Sequence, residues 1–160
     1  MKILEIKGKD KNILNNGIWK KIEKAFYDFW KIRANLEWKK IKNENKYIKD
    51  IKNIVNNIEN NFILIQEEEN EKILWFLIFS KKKWEIPYFQ DEKYVYINYI
   101  YVSSILQWKW YSSKMFSLVK NFAKKENIEK IKLNVSINNE KAISIYEKWW
   151  FNIDYYSMSK

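Results

Sequence analysis

Apolar and polar residues alternate from Met1 to Lys7, a period of two that predicts an edge strand. A loop rich in Lys, Asp and Asn follows from Gly8 to Gly17. From Ile18 to about Leu36 the period changes. Ile18, Ile22, Ala25, Phe26, Phe29, Trp30 and Ile32 recur at helical spacing. Asn45–Ile58 repeats the pattern with Ile48, Ile51, Ile54, Val55 and Ile58, so a second amphipathic helix is expected there. Phe62–Gln66, the acidic turn Glu67–Glu71 and Ile73–Ser80 read as a hairpin. Lys81–Gln90, with the single proline Pro87, reads as a loop. Tyr94–Val102 is apolar on both alternations, Tyr94, Tyr96, Ile100 and Val102 on one and Val95, Ile97, Tyr99 and Tyr101 on the other. Such a strand is expected at the centre of a sheet, covered on both faces. The remaining pattern predicts a helix from about Trp110 to Glu126, a strand Lys130–Val135, a helix Glu140–Trp149 and a last strand Phe151–Met158. The order is β-αα-βββ-α-β-α-β, with no internal repeat and no linker that divides it. Residues 1–160 are therefore read as one domain.

Composition narrows the chemistry. The chain has 160 residues, 47% of them hydrophobic, enough for a sizeable core. It contains neither cysteine nor histidine. Disulfides, thiolate metal sites, a cysteine nucleophile and a Ser-His-Asp triad are excluded, and no metal is expected. Acid and base chemistry must come from Glu, Asp, Lys, Tyr or water. The start of the chain does not read as a signal peptide, and the longest uninterrupted apolar run, Ile73–Phe79, is too short for a bilayer. A cytoplasmic protein without a membrane partner is the expectation. The net charge of +10 favours an anionic partner. Nucleic acid is disfavoured, because base readout leans on arginine and Arg33 is the only one of 30 basic residues that is arginine.

Ile73-Leu74-Trp75-Phe76, Tyr99-Ile100-Tyr101-Val102-Ser103, Gln107-Trp108-Lys109-Trp110-Tyr111-Ser112 and the segment from Asn139 to Phe151 together resemble the GNAT acyltransferase superfamily, and the resemblance covers residues 60–160. Tyr99-Ile100-Tyr101-Val102-Ser103 resembles the end of that family's fourth strand. Gln107-Trp108-Lys109-Trp110-Tyr111-Ser112 stands where the family writes Q/R-x-x-G-x-G/A. Residues 139–151, from Asn139 through Ala142 and Tyr146 to Trp150-Phe151, resemble its N-x-x-A-x-x-x-Y-x-x-x-G-F segment. Ile73-Leu74-Trp75-Phe76 is similar to the third strand's I-x-G-F.

One departure runs through three of these four segments. Trp75, Trp108, Trp110 and Trp150 occupy positions where the family has glycine. The chain has two glycines and nine tryptophans, which together make 11, close to the roughly 11 glycines that about 7% usage gives a chain of this length. Some bacterial lineages read UGA as glycine and others as tryptophan. An AT-rich gene translated with the wrong table would produce this pattern, and the expectation is that these four positions are glycine in the native protein. Trp19, Trp38 and Trp84 are further candidates, whereas Trp30 and Trp149 suit a core.

The resemblance implies a fold and a reaction. The fold is α/β, a mixed, mostly antiparallel sheet of six or seven strands, splayed after the central strand, with helices on both faces. The reaction is transfer of an acetyl group from acetyl-CoA to a primary amine by direct attack. Tyr146 would protonate the departing thiolate, or else be a core residue beside Ala142, Ile145 and Trp149. The backbone of Ile100, Tyr101 and Val102 would pair with the pantetheine arm, with core packing as the alternative role of the tyrosine. Gln107, Trp108, Lys109, Trp110, Tyr111, Ser112 and Ser113 would present amides to the pyrophosphate at a helix N-terminus. Asn139 would hold the pantetheine arm, or serve as a helix N-cap. No base stands out. Tyr96 and Asn98 occupy the strand where many members place a carboxylate, and Glu85, Asp91 and Glu92 read as solvated, so ordered water is the default. A monomer or homodimer is expected. The alternative function is a non-catalytic GNAT-like binding protein whose cofactor loop is occluded by indoles; a basic nucleic-acid-binding protein ranks last.

Overall fold

A computed structural model describes residues 1–7, 18–36, 49–50, 53–54, 57, 59–69, 72–84, 92–103 and 111–154. Its frame is one five-stranded sheet, whose strands stand in chain order. They are β1 (Lys2–Ile6), β2 (Asn60–Gln66), β3 (Ile73–Trp84), β4 (Glu92–Val102) and β5 (Lys130–Leu133). The first three pairings are antiparallel and the last, β4 with β5, is parallel. Three helices are described: α1 (Ile18–Leu36), α2 (Tyr111–Lys125) and α3 (Glu140–Lys148). The parallel β4–β5 pair requires a crossover, and α2 supplies it.

Each sheet face carries its own core. On one, Ile22, Ala25 and Phe26 of α1 pack with Ile6, Phe62, Leu64, Phe76 and Ile78. Phe26 stacks on Phe76 with ring centroids 4.4 Å apart. Those α1 residues recur at the three- and four-residue spacing that puts them on one side of a helix. Ile32, which belongs to the same sequence pattern, is 47% exposed, because the stripe has rotated past the sheet by the last turns. On the other face, Met115, Phe116, Val119 and Ala123 of α2 pack with Ile63, Ile65, Leu77, Phe79, Val95 and Ile97. Trp149 joins this core, stacked on Phe116 at 5.0 Å.

The strand pattern misled in three places. Lys81–Trp84, expected in a loop, continue β3 and pair with Glu92–Val95 of β4. Phe151–Asp154 form no strand, so the described sheet has five strands where six or seven were expected. Residues 155–158 of that expected strand, most of the Asn45–Ile58 helix and residues 85–90 lie outside the described residues. The third difference concerns β4. It is central, between β3 and β5, but Tyr94, Tyr96, Tyr99, Ile100 and Val102 are only half-buried.

The faces of β4 also differ from simple alternation. Ile78 pairs with Tyr99 and Phe79 with Ile97, which leaves Asn98 as an extra residue in β4. This is a β-bulge, and it exchanges the two sides of the strand. Val95 and Ile97 before it, and Ile100 and Val102 after it, all pack against the α2 face. Tyr99 and Tyr101 turn to the α1 face, against Phe26 and Phe76.

Candidate active site

The bulge marks the point where the sheet opens. β4 and β5 pair from Tyr94↔Lys130 to Ile97↔Leu133 and no further. Beyond Ile97, β4 still pairs with β3 through Leu77↔Ile100, Phe76↔Tyr101 and Trp75↔Val102. On its other side, among the described residues, no strand pairs with Asn98–Val102. Backbone N–H and C=O groups on that side lack sheet partners and suit an extended ligand that adds as a strand.

Ile100, Tyr101 and Val102, to which the resemblance gave the pantetheine arm, lie on a strand edge that is open among the described residues. Their side chains have other roles. Tyr101 is buried and stacks on Phe76 at 5.3 Å, while Ile100 and Val102 pack on the α2 face. Burial is the main cause that pushes the Tyr101 phenol above its ordinary range, so it stays neutral.

The N-terminus of α2 follows on in the chain. Tyr111, Ser112 and Ser113 are its first three residues, and no acidic residue occupies its first turn. The opening amides of a helix have no intrahelical acceptors, and the helix dipole favours an anion beside them. Ser113 is exposed, and its carbonyl accepts from Ser117 Oγ at 2.9 Å. Gln107, Trp108, Lys109 and Trp110 lie outside the described residues.

Tyr146 stands on α3, its ring 6.2 Å from Trp149 and 5.9 Å from Phe151. Both neighbours touch Phe116 on the α2 face. Ile145, expected on the same side as Tyr146, is 41% exposed. Desolvation pushes the Tyr146 phenol up to about 12, so it keeps its proton throughout the neutral range. Asn139 is the N-cap of α3, its Oδ1 accepting from the amide of Ala142 at 3.3 Å. The cap satisfies one of the orphan amides of the first turn.

The end of α3 is closed around Trp150. The Phe151 amide donates to the Tyr146 carbonyl at 3.1 Å and the Trp150 amide to Glu147 at 3.0 Å. This paired closure needs a left-handed residue, and Trp150 has φ 67° with 88% of its surface exposed. Trp75 is poorly suited in a different way. It is buried in the α2-face core, and among the described residues its indole Nε1 has no hydrogen-bond partner.

The carboxylate that opens β4 is poorly suited to act as a base. Glu92 bridges the two strands, 2.9 Å from Lys130 and 3.0 Å from Lys132. Hydrogen bonds from Lys130 and then Lys132 hold its pKa below the ordinary carboxylate value, which makes it a poorer proton acceptor. Asp91 and Glu85 lie outside the described residues. On β4 itself, Asn98 donates to Ser80 Oγ at 3.0 Å and to Asn60 Oδ1 at 3.3 Å. Periodicity gave no sign of this polar row. The signal was there in Asn60 at the start of β2, in Ser80 at the end of the apolar run of β3, and in Asn98 within β4.

Comparison with known proteins adds to this geometry. The sequence profile described as Acetyltransferase (GNAT) family matches residues 19–150. No curated protein matches the chain. A structure of the tetramutant of the BH1408 protein from Bacillus halodurans superposes with TM-score 0.76 at 16% identity, covering 100% of this chain and 99% of that one. The ribosomal-protein-alanine N-acetyltransferase of Brucella melitensis biovar Abortus gives 0.67 at 12% identity, covering 100% and 99%. AAC(6')-Iy, in complex with the bisubstrate analog CoA-S-monomethyl-acetylneamine, gives 0.68 at 9% identity, covering 99% and 95%. These likenesses establish the fold. Among the described residues no helix is long and apolar enough to cross a membrane.

Proposed function

Because the chain belongs to the GNAT acetyltransferase family, whose profile spans residues 19–150, we propose that it transfers an acetyl group from acetyl-CoA to a primary amine. The observation that carries this reading is the one-sided edge of β4. Asn98–Val102 keep β3 and lose β5, and α2 opens soon afterwards in the chain. A pantetheine arm has amides of its own and fits an added-strand role along Ile100–Val102. The pyrophosphate fits the first turn of α2, at Tyr111, Ser112 and Ser113, together with the preceding residues Gln107–Trp110. The bisubstrate analog CoA-S-monomethyl-acetylneamine held by AAC(6')-Iy carries a CoA portion, which supports the same choice of donor.

In this reading the amine nitrogen attacks the thioester carbonyl, the carbon–sulfur bond breaks, and the amine's proton leaves to water. Holding both reactants in line supplies much of the acceleration. Tyr146 faces the departing sulfur. A phenol held at about 12 keeps its hydrogen but gives it up to a thiolate only uphill. Its contribution is therefore chiefly a hydrogen bond to the sulfur as negative charge develops, with solvent completing the protonation. Asn139 keeps Nδ2 free of the cap and can reach the arm with it.

The working form of the protein, in this proposal, carries glycine at 75, 108, 110 and 150. Two independent physical features support it: the left-handed backbone of Trp150, and the indole N–H of Trp75, which is unpartnered among the described residues. The gene's codons decide the point, since UGG at 108, 110 and 150 would remove it. The function is tested by calorimetric titration of acetyl-CoA into the chain as written and into a Trp108→Gly/Trp110→Gly/Trp150→Gly variant. Saturable binding by the triple variant is expected. Its failure to bind would overturn the transferase, and leave the non-catalytic relative as the better reading.

A further inference from the structure

Three polar side chains line up across the middle of the sheet on its α1 face. Asn60 of β2 and Ser80 of β3 are register partners, 6% and 0% exposed. Asn98, the bulge residue of β4, completes the row. Phe62 and Ile78, two residues along from Asn60 and Ser80, belong to the apolar core of the same face. Polar groups in such a place are tolerated only when bonded, so the direction of each bond is informative.

The donors run one way. Asn60 Nδ2 lies 2.8 Å from the Ile54 carbonyl, a group that can only accept. That contact fixes the plane of the Asn60 amide and turns its Oδ1 toward Asn98. Asn60 Oδ1 is also purely an acceptor, so Asn98 must present Nδ2 to it. The same Nδ2 reaches Ser80 Oγ, and both of its hydrogens are then engaged. Asn98 Oδ1 is left pointing away from the row, and among the described residues no donor reaches it.

Its position is what gives this atom a use. Asn98 is the first residue of β4 past Ile97, the last to pair with β5, so it stands at the apex of the opening. Its side chain belongs to the α1 face, whereas Tyr146 and its neighbours Trp149 and Phe151 belong to the α2 face. A thioester lying in the opening would have the phenol on one side and the amide carbonyl on the other.

We propose that Asn98 Oδ1 accepts one N–H of the incoming amine and so aims its lone pair into the opening. The proposal rests on the transferase reading. A neutral amide carbonyl orients an amine without deprotonating it, which leaves the proton to water. It also sets a class of acceptor. A primary amine has one N–H for Asn98 and a second to lose on acylation; a secondary amine has a single N–H that cannot do both. Asn98 is thus a specificity-determining residue that favours primary over secondary amines.

The test uses the form of the protein that binds acetyl-CoA, with glycinamide and its N-methyl counterpart sarcosinamide as probe amines and release of free CoA thiol as the readout. Asn98→Ala is expected to lose about tenfold in kcat/KM for glycinamide and most of its preference over sarcosinamide, with acetyl-CoA affinity within about twofold of the parent. An undiminished preference in Asn98→Ala would overturn the proposal. The orientation is read separately, in the unsubstituted protein, by side-chain amide NMR. Both Asn98 Nδ2 protons are expected to exchange slowly, and rapid exchange of either would sink the assignment of Oδ1 whatever the kinetics. If the parent releases no thiol with either amine although it binds acetyl-CoA, the transferase reading itself fails, and this proposal with it.

Discussion

The amide of Phe151 donates to the carbonyl of Tyr146 across 3.1 Å, and Trp150 between them is held at φ 67°. The two residues also touch through their rings, at 5.9 Å, so the turn that ends α3 ties the candidate acid to the α2-face core. A side chain with a Cβ is strained in that backbone region, whereas glycine is not. Trp150→Gly should therefore raise stability by about 1 kcal/mol, a shift of about 2–4 °C in melting temperature. Because Trp150 is 88% exposed, almost no packing is lost to offset the gain. Thermal unfolding followed by circular dichroism measures it, and a lower melting temperature would mean that the indole has a packing role.

Tyr146→Phe removes the hydroxyl and leaves the ring beside Trp149 and Phe151. Turnover should drop by about 100-fold or more, with acetyl-CoA affinity unchanged. Steady-state kinetics paired with calorimetry separates the two. Loss of affinity with unchanged turnover would reassign the phenol to ground-state binding.

The same phenol makes an alkaline signature. Its folded pKa, about 12, lies above the ordinary 10.0, so between those values the folded protein holds a proton that the unfolded chain has released. Stability from this group is complete below pH 10 and is lost as the pH rises through 12. Denaturant titrations between pH 9 and about 11.5 should show a steeper decline for the parent than for Tyr146→Phe.

Asn139 can be dissected by exchanging one atom. Asn139→Ala should cost about 1 kcal/mol, because the Ala142 amide loses its cap. Asn139→Asp keeps the accepting oxygen and should fold as well as the parent, favoured further by the helix dipole. If Nδ2 also contacts the pantetheine arm, the aspartate variant alone will fold normally and bind acetyl-CoA weakly. Equal affinity in parent and Asn139→Asp would restrict this residue to capping.

Glu92 fastens β5 to β4 through Lys130 and Lys132. Its pKa is held below the ordinary 4.5, so this fastening is present above that value and is lost as the pH falls through the lower, folded one. Glu92→Gln should accelerate amide exchange along Lys130–Leu133 at neutral pH while leaving the global melting temperature nearly unchanged. At acidic pH, below the folded value, parent and variant should exchange alike.

The helices were readable because their signal is long. α1 spans the residues that its apolar spacing marked, and Met115, Phe116, Val119 and Ala123 place α2 in the same way. The strands were readable as far as their alternation holds. It holds in β2, and in β4 as far as Ile97. One bulged residue, Asn98, then moved Tyr99 and Ile100 to faces opposite those expected, and no local propensity announces such a register change. Lys81–Trp84 were missed because polar residues at the end of β3 pair with β4 through backbone bonds that composition does not reveal. Of the proposed site, Tyr146, Asn139 and Ile100–Val102 were singled out by motif resemblance, and the fold places them on α3, at its N-cap and at the end of β4. The Asn60–Ser80–Asn98 row was not singled out, because its members lie 18 to 38 positions apart in sequence.

The bulge has one more consequence, which follows from counting. Residues on either side of Asn98 already sit on the faces that an unbroken strand one residue shorter would give them. Excising position 98 would thus leave both hydrophobic layers correctly seated and straighten the bend. The shortened chain would keep its apolar layers but strip the buried Asn60 Oδ1 and Ser80 Oγ of the donor they share, so the extra residue serves the polar row and not the seating of the core.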